Sequence, residues 1–303
     1  MEPKSKQPTQ EEVLKAIENS GYPFELTVAK QFLDFGFEIQ PGSRFFDRNR
    51  QKDVEIDLRA MLKRSYQTTK GNTVTVVLQL MVECKDNSLP FVFFGLDYAP
   101  EKEEGMMDPD WPFVHVNTTR DKRQPNRHGM VCFLNDKKNN SFKKDHHHFA
   151  SGPRFFRAAT MEWKDKTIKL SETSNLQDAL RKLASFIDHF HATWISLAAE
   201  RDIEEMTEGV PYIYVPFLLI VHSGQQFRYS LSDRAITQST HTPVFQSYHV
   251  AGNATNIVVD FVAFDKLQAA VETIDKSLQA MARIMVPSVL AETKGGIYSR
   301  SRN

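Results

Sequence analysis

Apolar and polar residues alternate through two neighbouring stretches, "VEIDLRAMLKRSY" (54–66) and "TVTVVLQLMVECK" (73–85), with "QTTKGN" between them. Successive side chains of a strand point to opposite faces, and a short polar run containing Gly between two such stretches reads as a turn. The pattern therefore predicts an antiparallel hairpin. With its turn centred on Lys70, Asp57 stands opposite Glu83, Leu58 opposite Val82 and Ile56 opposite Cys84. One face then carries Ile56, Leu58, Ala60, Leu62, Val76, Leu78, Leu80, Val82 and Cys84, and the other carries Asp57, Glu83 and Lys85. The register rests on that unbroken apolar face, because a slip of one residue exchanges the two sets.

Ahead of the hairpin, "YPFELTVAKQFLDFGF" (22–37) has helical spacing, with Pro23 at its first position and Gly36 at its end. A short helix over 11–19 precedes it, and a short strand over 37–40 and a charged loop, "RFFDRNRQKD" (44–53), follow. "SLPFVFFGLDY" (88–98) reads as a further strand or a packed loop, and residues 100–150 lose periodicity, as a polar insertion does. Leu176, Leu180, Leu183, Ile187, Phe190, Trp194 and Leu197 predict a long helix over about 174–207. "YIYVPFLLIVHS" (212–223) and "NIVVDFVAF" (256–264) read as strands, "QFRYSLS" (226–232) as a hairpin arm, and 265–285 as a last helix. The expected organisation is a polar lead (1–20), one mixed α/β domain (21–287) with an insertion at about 100–150, and a loose tail (288–303).

Composition narrows the class. Apolar content of 41% and charged content of 25% over 303 residues are ordinary for a globular chain. Two cysteines, Cys84 and Cys132, make no disulfide framework, which suits a reducing cytoplasm. The start is polar, and the longest apolar run, "VPYIYVPFLLIV", has 12 residues and two prolines, so no membrane segment is expected. Positive and negative residues balance at 38 each, so a polyanionic partner would have to meet local patches. Two exist. In 44–52, Arg44, Arg48, Arg50 and Lys52 face one acid, and in 120–144, Arg120, Lys122, Arg123, Arg127, Lys137, Lys138, Lys143 and Lys144 face two. Such runs are commonly solvated loops, and contact with phosphates is the functional alternative.

The polar face of the hairpin raises a chemical question. Opposed carboxylates on a strand pair repel. Lys85 can pair with one of them, whereas a divalent cation neutralises both, and oxygen ligands suit Mg²⁺. A third acid adds to the crowding. At about 100° per residue, Val28, Ala29, Phe32 and Leu33 lie within about 80° of Glu25 on the helix, so Glu25 sits on the face due for burial. Its position near the helix start also favours a carboxylate for electrostatic reasons alone.

"YPFE" opening a helix that ends in "GF", then "EID", a hairpin and "VECK" resembles the PD-(D/E)xK nuclease superfamily, with similarity to Mrr-type enzymes and archaeal Holliday-junction resolvases. The motifs cover about residues 21–95. The resemblance implies a restriction-endonuclease-like mixed β-sheet flanked by helices. It also implies a Mg²⁺-dependent nuclease, with Mn²⁺ as a substitute, acting on nucleic acid and foremost on DNA, and it is compatible with a homodimer. Carried across, the catalytic set is Glu25, Asp57, Glu83 and Lys85, and the metal ligands are Asp57, Glu83, the Cys84 main-chain carbonyl and Glu25. A protein of the same fold that binds or regulates without cleaving, and a nuclease acting on RNA, stay open as alternatives. Other signals are weaker. His146, His147 and His148 are consecutive and do not converge on one ion in a regular element, and Ser223 lacks a GxSxG elbow.

Overall fold

A computed structural model describes residues 7–48, 50–68, 73–87, 89–98, 113–118, 127–132, 152–164, 166–172, 174–194, 212–250, 253–285 and 289–292. Two helices open it, α1 (Gln10–Glu18) and α2 (Tyr22–Asp34). Thr9 and Glu12 close a capping box on α1, each side chain bonding the other's main-chain N–H, which satisfies two otherwise orphaned donors. At the end of α2, Phe37 N–H donates to the Phe32 carbonyl and Gly36 N–H to that of Leu33. Gly36 takes φ of 84°, and the Phe32 and Phe37 rings meet at 5.4 Å. This left-handed stop needs glycine and turns the chain straight into a strand. Val28, Ala29 and Phe32 are buried as expected, but Leu33 is exposed.

The strands that follow are β1 (Glu38–Asp47), β2 (Lys52–Thr68) and β3 (Thr73–Lys85). The stretch expected to be a charged loop is mostly strand, since β1 and β2 pair as far as Asp47 with Lys52. Ser43, Phe45 and Asp47 point inward there while Arg44 and Phe46 point out, an alternation masked by the run of charges. β2 and β3 pair in the register predicted from the sequence, from Leu58 with Val82 to Gln67 with Thr73. All nine residues of the predicted apolar face are buried. The other face of β3 is buried too: every position from Val74 to Cys84 is inside. The reason lies beyond the hairpin, because α2 and both later helices contact β3 and a parallel strand covers its second edge.

The remaining elements are β4 (Phe91–Tyr98), β5 (Phe113–Thr118), β6 (Arg127–Cys132), β7 (Gly152–Lys164), β8 (Thr167–Ser171), α3 (Ser174–Trp194), β9 (Tyr212–His222), β10 (Gln226–Ser230), β11 (Ile236–Ser239), β12 (His241–Val250), β13 (Asn253–Ala263), a 3-10 turn (Phe264–Lys266), α4 (Leu267–Met285) and β14 (Val289–Glu292). The architecture is mixed α/β. The main strand order is β1-β2-β3-β9-β13-β12-β7-β4-β10-β11, with β9 parallel to β3 and β13 parallel to β9. Within the expected insertion, β5 and β6 pair with each other and β5 joins β9. Within the expected tail, β14 pairs with β2. On α3 the predicted stripe of Leu176, Leu180, Leu183, Ile187 and Phe190 is buried. The part of that predicted helix beyond Trp194 lies outside the described residues.

Arg64 on β2 and Asp275 on α4 form a buried two-bond pair, at 3.2 Å and 2.7 Å, and Gln279 donates to the same carboxylate at 3.1 Å. The pair ties the last helix to the hairpin. Among the described residues no helix is long and apolar enough to cross a membrane.

Candidate functional site

The β2–β3 ladder stops at Leu58 with Val82, one step short of Asp57 and Glu83. The next main-chain donor of β3 on that side, Cys84 N–H, bonds the Asp57 carboxylate at 2.7 Å instead of continuing the ladder. Both main-chain groups of a strand residue point to the same edge, so the Cys84 carbonyl also faces the Asp57 side. Asp57 and Glu83 are thus neighbours in the predicted register without being a ladder pair. The strands part where the polar residues begin.

Glu83 has no exposed surface, and its carboxylate is held by two ammonium groups. Lys85 Nζ donates to Oε2 at 3.1 Å, and Lys182 Nζ, from α3, reaches Oε1 at 3.2 Å and Oε2 at 3.3 Å. Burial raises the Glu83 pKa, the nearby Asp57 charge raises it further, and the two lysines oppose both. Burial pulls the Lys85 ammonium down, but the Glu83 and Asp57 carboxylates outweigh it and leave its pKa raised. Both partners rise because Glu83 is wholly desolvated, whereas the Lys85 side chain keeps 23% of its surface. Glu25, half-buried on α2, is also raised, first by burial and then by Asp57, with Lys85 and Lys182 opposing. Burial pushes the Cys84 thiol well up, and Asp57, Glu25 and Glu83 add to it, so this cysteine stays a neutral thiol.

Glu25, Asp57, Glu83 and Lys85 therefore share one electrostatic neighbourhood. It has a member that the sequence did not reveal. Lys182 stands off the apolar stripe of α3, where a lysine reads as solvated, and only the crossing of α3 over β3 brings it to Glu83. The oxygens of Glu25, Asp57, Glu83 and the Cys84 carbonyl are of the kind that suits a hard cation. Among the described residues, however, no three His, Cys, Asp or Glu side chains converge as ready-made metal ligands. The Glu83 oxygens are turned to ammonium groups.

The main chain around Lys85 is pinned. Ser223 N–H donates to the Lys85 carbonyl at 3.2 Å, Ser223 Oγ donates to Asp86 at 2.6 Å, and Asn87 N–H donates to Ser223 Oγ at 3.0 Å. A Cβ at Gly224 would stand 2.5 Å from the Asn87 carbonyl, so only glycine permits this approach. Ser223, unpromising as a nucleophile in the sequence, is a clasp between the turns after β3 and β9. Beside it opens a cleft of about 610 Å³, lined by Cys84 and Lys85, the α1–α2 turn and the start of α3.

The basic residues divide. Arg44 is paired with Glu55 at 2.8 Å, and Arg50 lies between Asp178 at 3.2 Å and Asp47 at 3.4 Å, fastening the β1–β2 turn to α3. Arg48 and Lys52 are exposed. The Arg127 main chain is on β6. Arg120, Lys122, Arg123, Lys137, Lys138, Lys143, Lys144 and His146–His148 lie outside the described residues.

No family model, no curated protein and no solved structure matches this chain.

Proposed function

We propose that the protein is a metal-dependent nuclease of the PD-(D/E)xK type that hydrolyses phosphodiester bonds, foremost in DNA. The observation that carries the reading is the set of Asp57, Glu83, Lys85 and Lys182 where β2 and β3 part: Glu83 is wholly buried, the other three are partly buried, and Lys85 lines a cleft. A buried charge such as Glu83 is costly, and its grouping with three partly buried charges around one gap suits work on a charged substrate. The order of α2, β1, β2 and β3 also follows the helix-strand-strand-strand core of the superfamily.

Asp57, Glu83, the Cys84 carbonyl and Glu25 would hold Mg²⁺, which supplies charge neutralisation and a more acidic water when bound. For Glu83 to serve as a ligand, Lys85 and Lys182 would have to release it. Lys85 and Lys182 would then be available to a phosphate, where ammonium groups stabilise the negative charge that develops on its oxygens. Asp57 is oriented by its bond from Cys84 N–H, whereas Glu83 would have to change partners.

A second reading has its own support. Two ammonium groups already neutralise Glu83, so the cluster is also consistent with a binding protein that does not cleave. The deciding experiment incubates the full chain with plasmid, linear and single-stranded DNA and with RNA, in Mg²⁺, Mn²⁺ or EDTA. Cleavage that depends on metal is expected. Absence of cleavage with every substrate and metal would replace the nuclease reading with the binding one.

A further inference from the structure

The cleft beside Lys85 has walls from five places: the α1–α2 turn, the end of β3 with the turn after it, the start of β4, β7, and the first turn of α3. At about 610 Å³ it falls in the range of small-molecule sites, about 300–1,000 Å³. Its chemistry is not that of a phosphate channel. Such channels are cationic along their length, whereas the described lining residues here include one ammonium, Lys85, against the carboxylates of Glu18 and Asp86. The rest is amide, hydroxyl and hydrocarbon. Asn19, Asn87 and Asn175 line it, and the half-buried Leu89 and Met161 supply apolar surface.

Amide side chains offer a donor and an acceptor side by side, the pattern that reads base edges. The apolar surface of Leu89 and Met161 suits the flat face of a heterocycle. A paired base inside a duplex presents only its groove edges, and entry into a pocket requires an unpaired, unstacked base. Resting on the nuclease reading, we propose that this cleft is a nucleoside subsite that holds one unpaired base and its sugar. The attached phosphate would lie at the Lys85 edge, and the preferred substrate would be a single strand, a flap or a frayed end rather than a continuous duplex.

The test separates this subsite from cleavage itself. Binding of deoxyadenosine, of dAMP and of inorganic phosphate to the full chain is measured by calorimetry in Ca²⁺ and in EDTA. Deoxyadenosine is expected to bind without any phosphate, dAMP more tightly, and Asn87→Ala with Asn175→Ala to weaken both by about 10-fold or more, the scale of one lost bidentate base contact. In Mg²⁺, single-stranded oligonucleotides should be cut at least about 10-fold faster than the matching blunt duplex. Failure of the parent protein to bind deoxyadenosine at millimolar concentration overturns the subsite, even if cleavage is robust. Unchanged binding in the folded double variant overturns it as well. Nucleoside binding with no cleavage in any metal leaves the subsite standing and overturns the nuclease reading instead.

Discussion

The β2–β3 hairpin carries two buried ion clusters that differ in kind. At Arg64, one guanidinium meets one carboxylate through two bonds, and a glutamine satisfies the same carboxylate further. At Glu83, one carboxylate is shared by two lysines, while Asp57 and Glu25 crowd in with the same sign. The first is closed, with charge and geometry matched. The second is unmatched: Glu83 resists ionisation even with two cations on it. A matched pair fastens one element to another, and an unmatched cluster is poised to exchange partners.

The largest effect should come from breaking the matched pair. Arg64→Ala leaves Asp275 buried without its cation and should cost about 3–5 kcal/mol of stability, read by chemical denaturation. Replacing both groups with apolar residues of similar volume should restore most of it. Turnover per folded molecule should stay unchanged, because the pair has no part in the proposed chemistry.

The unmatched cluster should respond the other way. Lys85→Ala should lower cleavage by about 100-fold or more, as loss of other electrostatic stabilisers does, with nucleic-acid binding in Ca²⁺ retained. Lys85→Arg should rescue poorly, since a planar guanidinium does not replace a compact ammonium. Full activity in Lys85→Ala would mean that the lysine only balances Glu83. Lys182→Ala should produce a smaller fall, about 10-fold, carried by kcat rather than KM.

The pH dependence of stability sharpens the contrast further. A raised carboxyl pKa in the folded protein means that the Glu83 contribution is present below the ordinary carboxylate range and lost as pH rises through its folded value. Glu83→Gln cannot lose a proton there. From acid to neutral pH, the variant should therefore gain stability relative to the parent. Lys85 follows the same sense at higher pH, since its raised pKa keeps its contribution until pH climbs past the ordinary lysine range. Equal pH slopes for parent and Glu83→Gln would show that Glu83 is ionised without penalty. The smallest effect belongs to the exposed Arg44–Glu55 pair. Arg44→Gln should shift stability by less than about 1 kcal/mol, and a larger loss would make β1 part of the site's support.

The sequence by itself determined the hairpin, its register and the nine apolar positions of one face, because alternation and a short polar turn are local properties of the chain. It also placed α2 between Pro23 and Gly36, since both ends of a helix are written in nearby residues. Tertiary structure alone decided that the opposite face of β3 is equally buried, because β9 and α3 come from more than 80 positions further along the chain. For the same reason Lys182 could not be read as a partner of Glu83, nor Arg50 as a link to Asp178, nor Ser223 as a clasp on Asp86. Charges on a surface and charges inside a cluster look alike in one dimension. What distinguishes them is which other elements arrive to exclude water, and that depends on how distant segments pack.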